Sequence, residues 1–363
     1  MKPGWAVPVP LQPSELFSSW LARAALTQGC DPLVLTGDVW PRWRAWIRDL
    51  DRGVSAERLT ALESASGIPA VILDAASLRG TVESISADSL DSRAVWPWVL
   101  TLGSKNRVRL GGLQYCPSCL AIGQVPYYRL EWRLAWHVGC SAHGGQLYDR
   151  CWSCKLPVEP HRLQAEDKHL AICAHCGRDL RDANLIAFSE AAVAFQEAAD
   201  RVIQDGYGYY DQVKITSHEW FRLARYFLLV IRRVAQGQAG GLQAFIKTLG
   251  VAPSAVVSPS TGLAFELIPV QERTPLLSGA WQMLNAGSER FREAATQASL
   301  TRATFFGISR PLPRTIAEMV ASLPDGSTPR TKAAQANEVR RPRSRQTVMR
   351  MYARLQRKLA RVP

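Results

Sequence analysis

The sequence predicts a mainly α-helical protein interrupted near its middle by a small cysteine-rich module. Two observations carry that reading. Apolar residues return at three- and four-residue spacing in both halves of the chain, and seven of the eight cysteines fall between residues 116 and 176, six of them in three pairs separated by two residues and Cys140 at the same spacing from His143. At 363 residues and 47% hydrophobic composition, the chain has material for two or three small cores.

The N-terminal stretch, Met1 to Pro10, is broken by prolines and reads as an extended entry without the apolar centre of a secretion signal. A helix follows, with Leu16, Phe17, Trp20, Leu21, Ala24 and Ala25 on one face. Trp40, Trp43 and Trp46 lie three apart, which suits a core stripe on one helical face. Ser55 is placed to cap a helix whose inner side is Leu59, Leu62 and Ala65. Gly67 ends that helix, and Pro69 opens another at its first position. Two short helices about a glycine turn make a helix-turn-helix, a form shared by DNA readers and by ordinary helical hairpins.

Past residue 185 the pattern is helical almost throughout. Thr216 and Glu219 read as a capping box before the stripe Trp220, Phe221, Leu223, Ala224, Phe227, Leu228 and Ile231. Gly, Pro and Ser make 237–263 a loop region, with helices resuming near Leu276 and from Thr315 to Leu323. The run Tyr226 to Ile231 is far shorter than the roughly 20 apolar residues a membrane span needs. The expected location is the cytoplasm, with no membrane partner.

The cysteines suit metal better than disulfides, which belong to small secreted chains. The first unit is Cys116-x2-Cys119, twenty residues, then Cys140-x2-His143. The second is Cys151-x2-Cys154, eighteen residues, then Cys173-x2-Cys176. Each x2 step lets two ligands on a tight turn reach adjacent corners of one tetrahedron, the pattern of zinc ribbons and knuckles. The expectation is Zn2+, two ions per chain. Four protein ligands leave no coordination position for water, so both sites read as structural and not hydrolytic. His137 is also separated from Cys140 by two residues and is the alternative to His143, which continues the repeated spacing. His161, His169 and His175 read as solvated bystanders, and Cys30 as a small buried apolar residue.

Charge is uneven. Lys and Arg total 44 against 31 Asp and Glu, a net of +13. From Ser327 to Pro363 there are 11 basic residues and one acidic residue, which leaves only +3 for the other 326 positions. A last amphipathic helix is expected from Ser344, with Val348, Met351, Tyr352, Leu355 and Leu359 on one face. Arg340, Arg341, Arg343, Arg345, Arg350, Arg354, Arg357 and Lys358 are the candidate contacts of this tail with nucleic acid or with an acidic partner.

The motifs in order resemble the TniQ proteins of bacterial transposons. The resemblance lies in Gly-Leu-Gln-Tyr-Cys-Pro-Ser-Cys-Leu (112–120), Tyr-Tyr-Arg-Leu-Glu-Trp-Arg-Leu-Ala-Trp (127–136), residues 140–154 and Cys-Ala-His-Cys-Gly-Arg-Asp-Leu (173–180). The entry at 8–23 and Trp-Pro-Trp-Val-Leu-Thr-Leu-Gly (96–103) add to it, so that about the first half of the chain is covered. The resemblance implies an N-terminal helix-turn-helix region, a tandem zinc-ribbon or knuckle module with small zinc-bound β elements, and a C-terminal helical domain. It implies a homodimer that links a target-recognition system to an AAA+ transposition regulator of the TnsC or TniB kind. In the CRISPR-associated branch that system is the Cascade complex with its guide RNA, and in other relatives it is DNA itself.

These readings give four regions: an N-terminal helical domain at 1–110, the zinc module at 111–185, a C-terminal helical domain at 186–323, and a basic linker with its helix at 324–363. The sequence holds no Gly-x4-Gly-Lys-Ser/Thr phosphate loop and no legible carboxylate cluster for two-metal chemistry. The expected function is therefore a target-selection adaptor in transposition, not an enzyme. The alternative is a stand-alone zinc-containing helix-turn-helix transcription regulator.

Overall fold

Leu16, Phe17, Trp20, Leu21, Ala24 and Ala25 are all buried, as their spacing requires, and α1 spans Phe17–Thr27. The computed structural model that shows this describes residues 4–87, 90, 95–105, 108–110, 112–237, 240–251, 263–326, 349 and 352. Helix α2 (Pro32–Val39) opens on its proline, where no amide donor is lost. Trp40, Trp43 and Trp46 do not share a helical face, because α2 stops at Val39 and the chain passes through a turn into a short 3-10 segment, Ala45–Ile47. Their core role holds: Trp40 is buried, and the other two pack half-buried against the same cluster.

Helices α3 (Ala56–Ser66) and α4 (Ala70–Ala75) make the helix-turn-helix. Gly67 joins them at φ 76°, a left-handed conformation that glycine adopts without steric cost, and its amide returns to the Glu63 carbonyl. Pro69 precedes α4 as its cap instead of occupying the first helical position. The Ser55 hydroxyl accepts from the Arg58 guanidinium and makes no capping bond to its helix. The outward residues of α4 are Val71, Ile72, Asp74 and Ala75. That surface is apolar and acidic, whereas base edges are read mainly by Arg, Lys, Asn and Gln. Helix α5 (Arg79–Glu83) follows.

The middle of the chain holds short elements only: the antiparallel pair β1 (Gly103–Lys105) and β2 (Val108–Leu110), helix α6 (Pro117–Ala121), and the pair β3 (Gly139–Cys140) and β4 (Gly145–Gln146). Beyond it, α7 (Glu190–Asp205) is capped by Ser189, whose hydroxyl accepts from the Ala192 amide. An antiparallel hairpin then breaks the helical run where the sequence predicted none: β5 (Tyr207–Tyr210) and β6 (Val213–Thr216) turn through Asp211 and Gln212, at φ 51° and 63°. Both turn residues are left-handed, as a two-residue hairpin turn demands.

Helix α8 (Ser217–Ala235) buries the predicted stripe from Trp220 to Ile231. Only half of the capping box forms. The Thr216 hydroxyl accepts from the Glu219 amide, but the Glu219 carboxylate accepts from the amide and hydroxyl of Thr315 instead. The loop region after residue 237 contains a further helix, α9 (Leu242–Thr248), and residues 252–262 lie outside the described residues. Helix α10 (Val270–Gln297) starts six residues earlier than expected and kinks at Gly287, whose φ is 77°. Helices α11 (Arg302–Phe306) and α12 (Arg314–Val320) complete the fold.

Two apolar clusters hold residues 1–325 as one unit. The smaller lies among α1 to α4 around Trp20, Leu21 and Leu62. The larger runs from Leu78 and Val82 through Trp98 and Trp136 to Phe227 and Phe291, so the cysteine-rich module shares a core with the C-terminal helices. The second unit begins at Gly326. Within it Met349 and Tyr352 are helical and exposed, and the eight basic candidates from Arg340 to Lys358 lie outside the described residues. Among the described residues, no helix is long and apolar enough to cross a membrane.

Candidate metal centres

Each ligand pair sits on a turn that aims its side chains together. Cys116 caps α6, which carries Cys119 one turn later. The β3–β4 turn brings His143 under Cys140: the amides of His143 and Gly144 both reach the Cys140 carbonyl, at 3.2 and 2.9 Å. The second module repeats the device, with the Lys155 amide on the Cys151 carbonyl at 3.1 Å and the Gly177 amide on the Cys173 carbonyl at 2.8 Å. In all three knuckles the residue after the second ligand is left-handed: Gly144 at φ 65°, Lys155 at 61° and Gly177 at 70°.

The eight expected ligands form two clusters, Cys116, Cys119, Cys140 and His143, then Cys151, Cys154, Cys173 and Cys176, each with its ligand atoms within 4.8 Å of one another. In the first, the Cys119 and Cys140 sulfurs are 3.6 Å apart, and His143 Nδ1 lies 3.6, 3.3 and 3.3 Å from Cys116, Cys119 and Cys140. In the second, Cys151–Cys176 and Cys154–Cys173 are each 3.8 Å apart. A tetrahedron with Zn–S near 2.3 Å and Zn–N near 2.0–2.1 Å has edges of about 3.8 Å between sulfurs and about 3.6 Å from sulfur to nitrogen. Both clusters therefore match zinc in size and in donor type, and can hold two metal ions.

The thiols also conflict without a cation. Cys119 is pushed far above its ordinary value by its bonds with Cys116 and Cys140, while Cys140 is pulled far below by accepting from the same two. A dication lets all of them ionise together.

His137 is not a ligand. Its Nε2 lies 2.9 Å from the Asp200 carboxylate on α7, which also accepts from Trp136 Nε1 at 2.9 Å. The three supposed bystanders are likewise not in the clusters, but they are not merely solvated. His175 pairs with Glu159 at 2.8 Å, His169 meets Arg181 at 2.9 Å, and His161 stacks on Trp46 at 5.3 Å. Cys30 is only half-buried, at the edge of the N-terminal cluster.

Buried polar side chains that sequence reasoning missed tie the clusters to the rest of the fold. Gln196 on α7 accepts from the Val138 and Gly139 amides and donates to the Gly139 carbonyl, satisfying the strand that carries Cys140. Fully buried Arg273 on α10 donates to the carbonyls of Ala135 and His137 and to Gln114 Oε1 at 2.6 Å. Burial lowers its pKa to about 10. On the other side, Arg133 pairs with Asp51 at 2.5 Å and Asp49 at 2.7 Å and donates to the Leu100 carbonyl. Burial pushes Asp51 up to about 6 against the pull of Arg133 and of the Ser18 amide and hydroxyl.

A mainly helical chain knit by two closed four-ligand clusters is the class that fold and site define. Residues 6–147 match the model of the TniQ family, so over that segment the chain is similar to TniQ proteins. The match takes in the helix-turn-helix and the whole first cluster and ends before the second. No curated protein matches the chain.

Proposed function

We propose that the chain is a non-catalytic adaptor of transposition, linking a target-recognition complex or target DNA to an AAA+ transposition regulator. The match of residues 6–147 to TniQ carries this reading. Two features support it. Both metal clusters already supply four protein ligands, so zinc there holds the fold and offers no open position for chemistry. The sequence also lacks a Walker phosphate loop. A Cascade complex with guide RNA is the recognition partner in an RNA-guided setting, and two copies of the chain act together. The apolar and acidic outer face of α4 favours a protein contact there and disfavours the stand-alone transcription regulator, which needs a base-reading helix.

The test is a reconstituted insertion reaction with transposase, regulator and targeting module. Omitting this chain should abolish guided insertion and leave the transposase's chemistry on donor ends intact. An unchanged insertion-site distribution in its absence refutes the adaptor, and strand cleavage or ATP hydrolysis by the purified chain refutes its lack of catalysis.

A further inference from the structure

The body of the chain, nearly neutral overall, gathers basic side chains around the start of α8. A groove of 610 Å³ runs between the β5–β6 hairpin, α8, the restart of α10 after Gly287 and the first turn of α12. Lys214, Arg222, Arg292 and Arg314 line it, and all four are exposed. A second cleft of 810 Å³ on the other side of α8 shares Thr216, Glu219 and Arg222 with the first and adds Arg225 and Arg310.

The acids in the groove are already engaged within the chain. Asp211 accepts from the Ser288 amide at 3.2 Å and from its hydroxyl, capping α10 where it restarts. Glu219 caps α12 through Thr315 and pairs with Arg222 Nη1 at 3.6 Å, and Glu318 pairs with Arg314 Nε at 2.8 Å. The Arg292 carbonyl accepts from the Thr296 hydroxyl, while its guanidinium makes no hydrogen bond or ion pair among the described residues and acts on Asp211 only through its charge. The groove thus sets four cations against three acids, with Arg222 and Arg314 paired to Glu219 and Glu318 and Lys214 and Arg292 outside those pairs, and keeps a cationic excess that suits a polyanion.

The hairpin adds a second, independent feature. Strand alternation turns Gly208 and Tyr210 inward and Tyr207 and Tyr209 outward. Tyr209 is 58% exposed, stands edge-on to Tyr207 with ring centroids 5.7 Å apart, and faces Lys214 across the ladder. The Lys214 ammonium lies 3.5 Å over the Tyr207 ring. An exposed aromatic beside a basic groove is the arrangement that binds single-stranded nucleic acid, where an unstacked base covers the ring and the backbone follows the cations. An acidic peptide would satisfy the arginines and leave Tyr209 without a role.

We propose that this groove binds single-stranded nucleic acid, with phosphates along Lys214, Arg222, Arg292 and Arg314 and a base on Tyr209. The proposal does not depend on the adaptor reading, since it concerns the isolated chain and a site apart from the helix-turn-helix.

Fluorescence anisotropy of a labelled oligothymidine, titrated with the full zinc-loaded chain over a salt series, tests it. R292Q/R314Q should lower the slope of log affinity against log salt by about 1.4, from about 0.7 per lost phosphate contact on a single strand. Y209A should weaken binding on the order of tenfold with an unchanged slope, because stacking is not ionic. The exposed pair Arg48 and Arg201, both outside the groove, provides the equal-charge control R48Q/R201Q, which should move neither quantity. The proposal fails if R292Q/R314Q weakens binding no more than that control. It also fails if Y209A is silent while a glutamate-rich peptide displaces the oligonucleotide, an outcome that makes the groove a peptide site.

Discussion

Lys155 holds, at φ 61°, the knuckle position that Gly144 and Gly177 fill in the other two. A left-handed L-residue costs roughly 1–2 kcal/mol, so the lysine carries strain that the glycines avoid. No atom lies within 4 Å of a Cβ built on Gly177, which isolates the backbone effect. Gly177→Ala should therefore cost about 1–2 kcal/mol in denaturant unfolding of the zinc-loaded protein. Lys155→Gly should be nearly neutral, because relief of strain offsets the glycine's greater freedom when unfolded. A Lys155→Gly penalty larger than that of Gly177→Ala would contradict this account of the knuckles. At this scale the ligands were legible, since Cys-x2-Cys spacing is a local constraint. Arg133, Arg273 and Gln196 were not, because what buries them is a set of carbonyls and carboxylates tens of residues away, which leaves no mark on the neighbouring sequence.

Among the elements, α1, α3 and α8 announced themselves, whereas α9 and the hairpin did not. Gly67 and the Leu59–Leu62 spacing identified α3 and its end, and the stripe from Trp220 to Ile231 identified α8. The β5–β6 turn uses Asp211-Gln212, without the glycine that usually marks a two-residue hairpin, and β5 is too short for its alternation to stand out from the tyrosines. Glu219 was read as half of a local capping box, but the start of α12, nearly a hundred residues later, takes its carboxylate. Gly208 shows how tightly the hairpin is set on the helices. A Cβ there would lie 2.6 Å from Trp220 Cδ1 and 2.7 Å from Val202 Cγ2. Gly208→Ala should cost about 1–3 kcal/mol by overpacking, read as a lower thermal midpoint with zinc content unchanged. An unaltered midpoint would mean that the hairpin does not rest on α7 and α8 as described.

Across the whole molecule, the cysteine-rich module is the joint. Arg133 fastens it to Asp49 and Asp51 in the N-terminal region, while Arg273 and Gln196 fasten it to α10 and α7. The loop between the two halves of the second cluster reaches back to the N-terminal helices, through His161 on Trp46 and through the Ala165 amide on Asp31 at 2.8 Å. Zinc held by such clusters supplies on the order of 10–16 kcal/mol of apparent folding free energy in small zinc peptides. Closing these two sites should accordingly govern whether the chain folds at all. The most direct measurement is the zinc content of the purified chain, paired with X-ray absorption at the zinc edge. Two zinc ions per chain, with a mean shell of 3.5 sulfurs and 0.5 nitrogens, is the predicted result. One ion or none, or a water oxygen in the shell, would contradict two closed structural sites.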